Sequence, residues 1–82
     1  MKVTIVSTYD EKAGAFSQPM FYPKKEAARR AFSDATADKQ TMLSKHPSDY
    51  KLYKIGEFDE LTGELINCPQ PEYICCGSDF VE

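Results

Sequence analysis

Residues 50–67, YKLYKIGEFDELTGELIN, decide the fold. Leu52 and Phe58 fall on one side of an alternating pattern and Tyr53 and Ile55 on the other, so Tyr50–Phe58 reads as a strand with apolar content on both faces. Asp59–Gly63 follows as a turn that ends in a glycine, where positive φ is expected. Glu64–Asn67 then returns as the partner strand, which makes this the clearest hairpin in the chain.

Upstream, Lys2–Tyr9 sets Val3 and Ile5 against Thr4, Val6 and Thr8, again the period of a strand. Asp10–Gly14 supplies a turn, and Ala15–Tyr22 is extended and aromatic. Pro19 cannot donate to a ladder, so that segment belongs at a sheet edge or a bulge, paired with the first strand. Pro23 reads as a first-turn residue of a helix that continues from Lys24 to Asp38, with Ala27, Ala28, Ala31, Phe32 and Ala35 at helical spacing. The alanines let the helix approach a sheet closely. Thr41–Asp49 reads as a polar connection.

Downstream, Pro69 and Pro71 are expected to stop the returning strand, and Tyr73–Cys76 leaves room for one more short edge strand. The expected architecture is an α+β domain of order β-β-α-β-β, an antiparallel sheet covered by one helix, with an optional extra C-terminal edge strand. Residues 1–82 form a single domain, with 68–82 readable as a loosely attached acidic tail. A chain of this length buries only roughly 60% of its extended surface, so self-association would add stability.

Charge is divided along the chain. All ten Lys and Arg lie before Ile55, alongside six acids, whereas Ile55–Glu82 holds seven acids and no base, giving the net −3. That division bears on partners and not on fold. No segment is apolar enough to span a membrane, and Met1–Tyr9 lacks the pattern of a signal peptide, so residence in the cytoplasm where the chain is made is expected. Cys68, Cys75 and Cys76 are odd in number and include a vicinal pair, which reads as reduced thiols and not as a disulfide framework. His46 is the single histidine and has no CxxC partner, so no metal site, cofactor or catalytic constellation is expected and the chain reads as nonenzymatic.

Two groups of residues point to nucleic acid. Lys24, Lys25, Arg29 and Arg30 crowd the first turns of the helix, where the dipole favours acids, so local stability did not select them. Cations beside free N–H groups at a helix start suit phosphate. The plain alternative is a solvated face in which Glu26 pairs with Arg30 at i, i+4. Aromatics form the second group. Tyr22 and Tyr53, among Phe16, Phe21 and Tyr50, lie in strands near Lys51 and Lys54, the combination that holds single strands by stacking. Each aromatic is also a natural core residue in so small a domain.

The stretches YDEKAGAFSQPMF, AARRAFSDA and, above all, HPSDYKLYKIGEFDELTGEL resemble the small nonstructural protein of gokushovirus-type microviruses, icosahedral single-stranded DNA bacteriophages. The resemblance covers Tyr9 to about Leu65 and is most specific from His46 to Gly63. It implies a nonstructural viral protein made in the infected bacterium, with a part in DNA replication or in the switch to single-strand synthesis and packaging. It brings no catalytic residues.

The expected function is therefore single-stranded DNA binding by a homodimer or larger assembly in the host bacterial cytoplasm. Lys24, Lys25, Arg29, Arg30, Lys51 and Lys54 would meet phosphates, and Tyr22 and Tyr53 would stack on bases. The alternative is a protein-interaction adaptor whose acidic second half engages a basic viral replication or capsid protein, or a host protein.

Overall fold

The computed structural model describes residues 1–81. Glu82, the end of the acidic segment, lies outside the described residues. Strand β1 spans Lys2–Asp10, followed by two short strands, β2 at Ala15–Phe16 and β3 at Met20–Tyr22. Helix α1 covers Lys25–Ala37 and a single turn, α2, covers Met42–Lys45. The long strands β4, Tyr50–Asp59, and β5, Leu65–Cys76, complete the sheet, and 3-10 turns occupy Pro47–Asp49 and Gly77–Phe80.

The sheet is antiparallel throughout, in the order β2-β1-β4-β5, with β3 also paired to β1. Thus β2 and β3 are one edge segment broken at its middle. Pro19 lies in the break, as its missing N–H requires. Ser17 holds the two pieces together: its backbone N–H donates to Thr8 O at 2.8 Å, and its hydroxyl accepts from Thr8 N at 3.1 Å. The expected β-β-α-β-β architecture under one helix is the one observed.

Helix α1 packs its small residues on one face of the sheet. Val6, Ala28, Phe32, Leu52 and Cys75 form the buried centre, and Tyr22, Leu43, Tyr50, Ile74 and Phe80 close around it. The helix begins at Lys25, two residues later than the Pro23 start the sequence suggests. Lys24 is the N-cap, with no side-chain cap bond, and Pro23 precedes it without being a first-turn residue. The connection 41–49 also holds more structure than its polarity suggests. Thr41 donates its hydroxyl to Ala35 O at 2.8 Å and accepts from Ser44 N at 3.0 Å, so one side chain ends α1 and caps α2.

Three departures from the expected pattern set the geometry of the site. The last is an extra residue, Ile74, between Cys75 opposite Leu52 and Tyr73 opposite Tyr53, which turns Tyr73 to the same face as Tyr53. In the pairing of β1 with β4, Ile5 faces Gly56 and Val6 faces Lys54, so Ile55 is an extra residue on β4. A bulge of one residue exchanges the faces on either side of it. Leu52, expected on the same face as Phe58, is therefore in the core under α1, whereas Phe58 is on the opposite face with Tyr53. Gly56 is required beside the bulge, because a Cβ there would stand 2.6 Å from Ile66 O.

The second departure is in β5. Pro69 and Pro71 do not end the strand. Gly56 pairs with Asn67 and Lys54 with Glu72, so Cys68–Pro71 loops out and the strand resumes, making the extra edge strand the far half of β5. An outermost strand tolerates prolines because it has one neighbour and needs only half its ladder groups. Within the segment read as an acidic tail, Cys75 and Cys76 are buried, and the Phe80 ring centroid is 6.2 Å from that of Phe32. The β4–β5 turn ends as expected, with Gly63 at φ +77°. No helix among the described residues is long and apolar enough to cross a membrane.

Candidate nucleic-acid interface

One face of the sheet carries the helix and the other carries none. Pairing register decides what the uncovered face displays. Tyr9 is opposite Phe16, Ser7 opposite Tyr53, and Tyr53 opposite Tyr73, so four rings line up across β2, β1, β4 and β5. Ring centroids are 4.9 Å apart for Tyr9 and Phe16, 5.6 Å for Phe16 and Tyr53, and 5.7 Å for Tyr53 and Tyr73. Interplanar angles of 57°, 71° and 70° make these tilted or edge contacts, the favoured arrangement for aromatic quadrupoles. Phe16 is 45% exposed and Tyr73 52%, an uncommon amount of ring surface to leave in water.

The residues expected to bind nucleic acid divide between the two faces. Tyr53 is at the centre of the aromatic row, and Lys51, opposite Tyr9, is at its margin in an ion pair with Glu11. Tyr22 is on the helix side, half-buried against the core, and shares no surface with Tyr53. Lys24, at the N-cap, and Lys25, Arg29 and Arg30 on α1 are exposed, also on the helix side. Lys54 belongs there too, opposite Glu72 on β5 and 3.5 Å from Glu57.

The helix cations are partly engaged already. Lys25 Nζ is 3.6 Å from Glu72 Oε1, and the Arg29 guanidinium lies 4.9 Å from the centroid of the Phe80 ring. Basic helix and acidic C-terminal segment thus meet within the fold, although exposed pairs of this kind contribute only about 0–1 kcal/mol. The i, i+4 pairing of Glu26 with Arg30 is not formed. Among the described residues, Lys24 and Arg30 enter no ion pair.

Reading the sequence singled out Tyr53 and Phe16 but not Tyr9 or Tyr73, which complete the row. Each of those two stands in a strand with no other ring close in sequence, so only cross-strand register brings them together. A further aromatic pair, Phe21 and Phe58, occupies the other end of the same face with centroids 6.3 Å apart. It is flanked by Val3 and Leu65.

Cys75 and Cys76 belong to the buried scaffold, and Cys68 is half-buried in the looped-out segment of β5. Among the described residues no three His, Cys, Asp or Glu side chains are grouped to hold a metal. Burial pushes the Cys75 thiol up to about 11, with Asp79 and Cys76 adding to the rise and Arg29 opposing it. Because the folded pKa is raised, no stability is lost while both states keep the proton. Above the ordinary value of 9.0 the unfolded chain ionises first, and stability falls as the pH approaches about 11. At pH 8 a thiol reagent is expected to label Cys68 quickly and Cys75 only after unfolding, and the alkaline loss of stability should shrink in Cys75→Ala. Rapid labelling of Cys75 in the native protein would contradict its burial.

Residues 3–80 match the family described as phage ORF5 protein. No curated protein and no solved structure matches the chain.

Proposed function

The chain belongs to the phage ORF5 protein family, and on that premise we propose that it is a nonenzymatic, nonstructural protein of a gokushovirus-type microvirus that binds single-stranded viral DNA. Its action is in the host bacterial cytoplasm, in genome replication or in the switch to single-strand synthesis and packaging. The observation that supports this reading is the row of four rings across an uncovered sheet. Bases freed from a duplex offer π-faces to such a row, whereas a duplex keeps its bases stacked on one another.

Phosphate contacts come from two places. Lys51 serves at the margin of the row. At the opposite margin, Tyr73 is on the open face and its neighbour Glu72, on the helix side, touches Lys25. A strand that leaves Tyr73 over the edge of β5 comes to Glu72, which Lys25 and Lys54 both face. Lys24, Arg29 and Arg30 at the same end of the helix are the further phosphate contacts of this proposal. A chain of net charge −3 can still attract phosphate locally, since charges farther away than about 8 Å are screened at physiological salt. Tyr22, half-buried against the core and on β3 at the other edge of the sheet, supports the helix and takes no part in this path.

Binding of labelled single-stranded and double-stranded oligonucleotides across a salt series tests the proposal. Single strands should bind more tightly, and replacing Lys25 and Arg29 together by Ala should flatten the salt dependence by about one to two units, at roughly 0.7 per lost phosphate contact. An unchanged slope would remove the helix side from the path of the strand. Absence of binding to any oligonucleotide at low salt would overturn the function.

A second reading rests on the Phe21–Phe58 end of the open face, where Phe21 is 56% and Leu65 63% exposed. That apolar end suits a protein contact, either with a second copy in a homodimer or with a basic viral replication or capsid protein drawn by Glu60 and the acidic turn. Light scattering distinguishes the first case: a dimer mass in wild type that falls to the monomer value in Phe21→Ser supports it, and a monomer at high concentration rules it out.

A further inference from the structure

The loop that Cys68–Pro71 makes out of β5 borders the aromatic row. Tyr9, Phe16, Tyr53, Gln70 and Pro71 together line a groove of about 320 Å³, within the range of small-ligand sites. Three of its walls are rings, a fourth is the proline, and the remaining lining residue, Gln70, brings an amide beside the hydroxyls of Tyr9 and Tyr53. Gln70 lies between Pro69 and Pro71 in the sequence, and the residue before a proline is confined to extended backbone. Its backbone is thus restricted before any ligand arrives, which lowers part of the entropy cost of binding. Nothing in the ladder needs this loop, since the pairing of β4 with β5 resumes beyond it.

We propose that this groove is a pocket for a single nucleobase and that Gln70 selects the base. The inference rests on the single-strand reading above. A base stacked on Tyr53 or Phe16 turns its edge toward the amide, which presents one acceptor and two donors. Adenine offers such an amide a donor–acceptor pair on both of its edges, the exocyclic amine with N7 and the same amine with N1, whereas cytosine and thymine offer one only on the Watson–Crick edge. The row therefore holds the strand with little regard to sequence, and the pocket adds a preference for adenine at one position.

The full chain is measured against a labelled 15-residue oligo-dT and the same oligomer carrying one central dA, dC or dG. Wild type should bind the dA oligomer about fivefold tighter than the dC oligomer, at the low end of the discrimination of a bidentate contact because the site is open to water. Gln70→Ala should abolish that preference while leaving the salt slope unchanged, since the amide carries no charge. Gln70→Glu, which only accepts hydrogen bonds, should shift the preference from dA to dG, whose N1–H and exocyclic amine donate side by side on the exposed edge of an unpaired base. Because Gln70 is exposed, both variants should keep the wild-type circular dichroism and melting temperature.

Equal wild-type binding of the dA and dC oligomers, or a dA preference that survives Gln70→Ala, would overturn the pocket while leaving single-strand binding intact. Failure of wild type to bind all-dT at low salt would instead overturn the function on which the pocket depends.

Discussion

Phe32→Ala is expected to lower stability by about 3–5 kcal/mol, the cost of truncating a buried phenylalanine to a methyl group. Phe32 is 5% exposed, and its ring lies at the centre of the helix–sheet contact, with Val6, Leu52 and Cys75 below and Phe80 beside it. A domain of this size has a total stability of only about 5–15 kcal/mol, so the loss is a large fraction of the whole. Two circumstances push it upward. The buried centre is small, and the neighbours of Phe32 on its own helix, Ala28, Ala31 and Ala35, are too short to fill the void. Chemical denaturation should show the midpoint falling with the slope unchanged. A midpoint within experimental error of wild type would mean that α1 does not pack as described.

Tyr53→Ala is expected to weaken single-strand binding by about 1–3 kcal/mol, the range of one base–aromatic stack, without changing the salt slope. Stacking releases no counterions, whereas loss of Lys25 and Arg29 does, so the two faces of the proposed path carry separate signatures. Tyr53 is also the hinge of the row, in contact with both Phe16 and Tyr73. Its removal therefore loosens two further rings, and Phe16→Ala or Tyr73→Ala alone should cost less. The ring is half-buried and outside the helix-side core, so the fold should survive its loss. Undiminished affinity in Tyr53→Ala would take the open face out of the interface.

The helix bases and the stacking tyrosine looked in sequence like parts of one site, and the fold sets them on opposite sides of a sheet one residue thick. Their separation follows from strand pleating: Tyr73 and Glu72 are neighbours in sequence and therefore point to opposite faces. What remains of the expected site is the edge of β5, where the two faces are nearest. The charge division along the chain has a similar resolution. Part of it is consumed by Lys25 with Glu72, so the acidic second half is not wholly available to an outside partner.

By itself, the sequence determined the parts that depend on neighbours a few residues apart. The alanine and Phe32 spacing of α1, the alternation in β1, the glycine-ended turn at Gly63, and the edge position of the segment with Pro19 were all legible, because helix period, turn chemistry and proline geometry are local properties. Only the tertiary structure decided which residues share a surface. The extra residue Ile55 reverses the faces of β4 and sends Phe58 away from Leu52, and the loop Cys68–Pro71 lets a strand pass two prolines and resume against Lys54. Neither can be read from periodicity, which assumes an unbroken pleat. Whether an extra residue bulges, and where pairing resumes, is set by cross-strand hydrogen bonds and by burial of Leu52 and Cys75 under a helix, contacts between residues far apart in the chain.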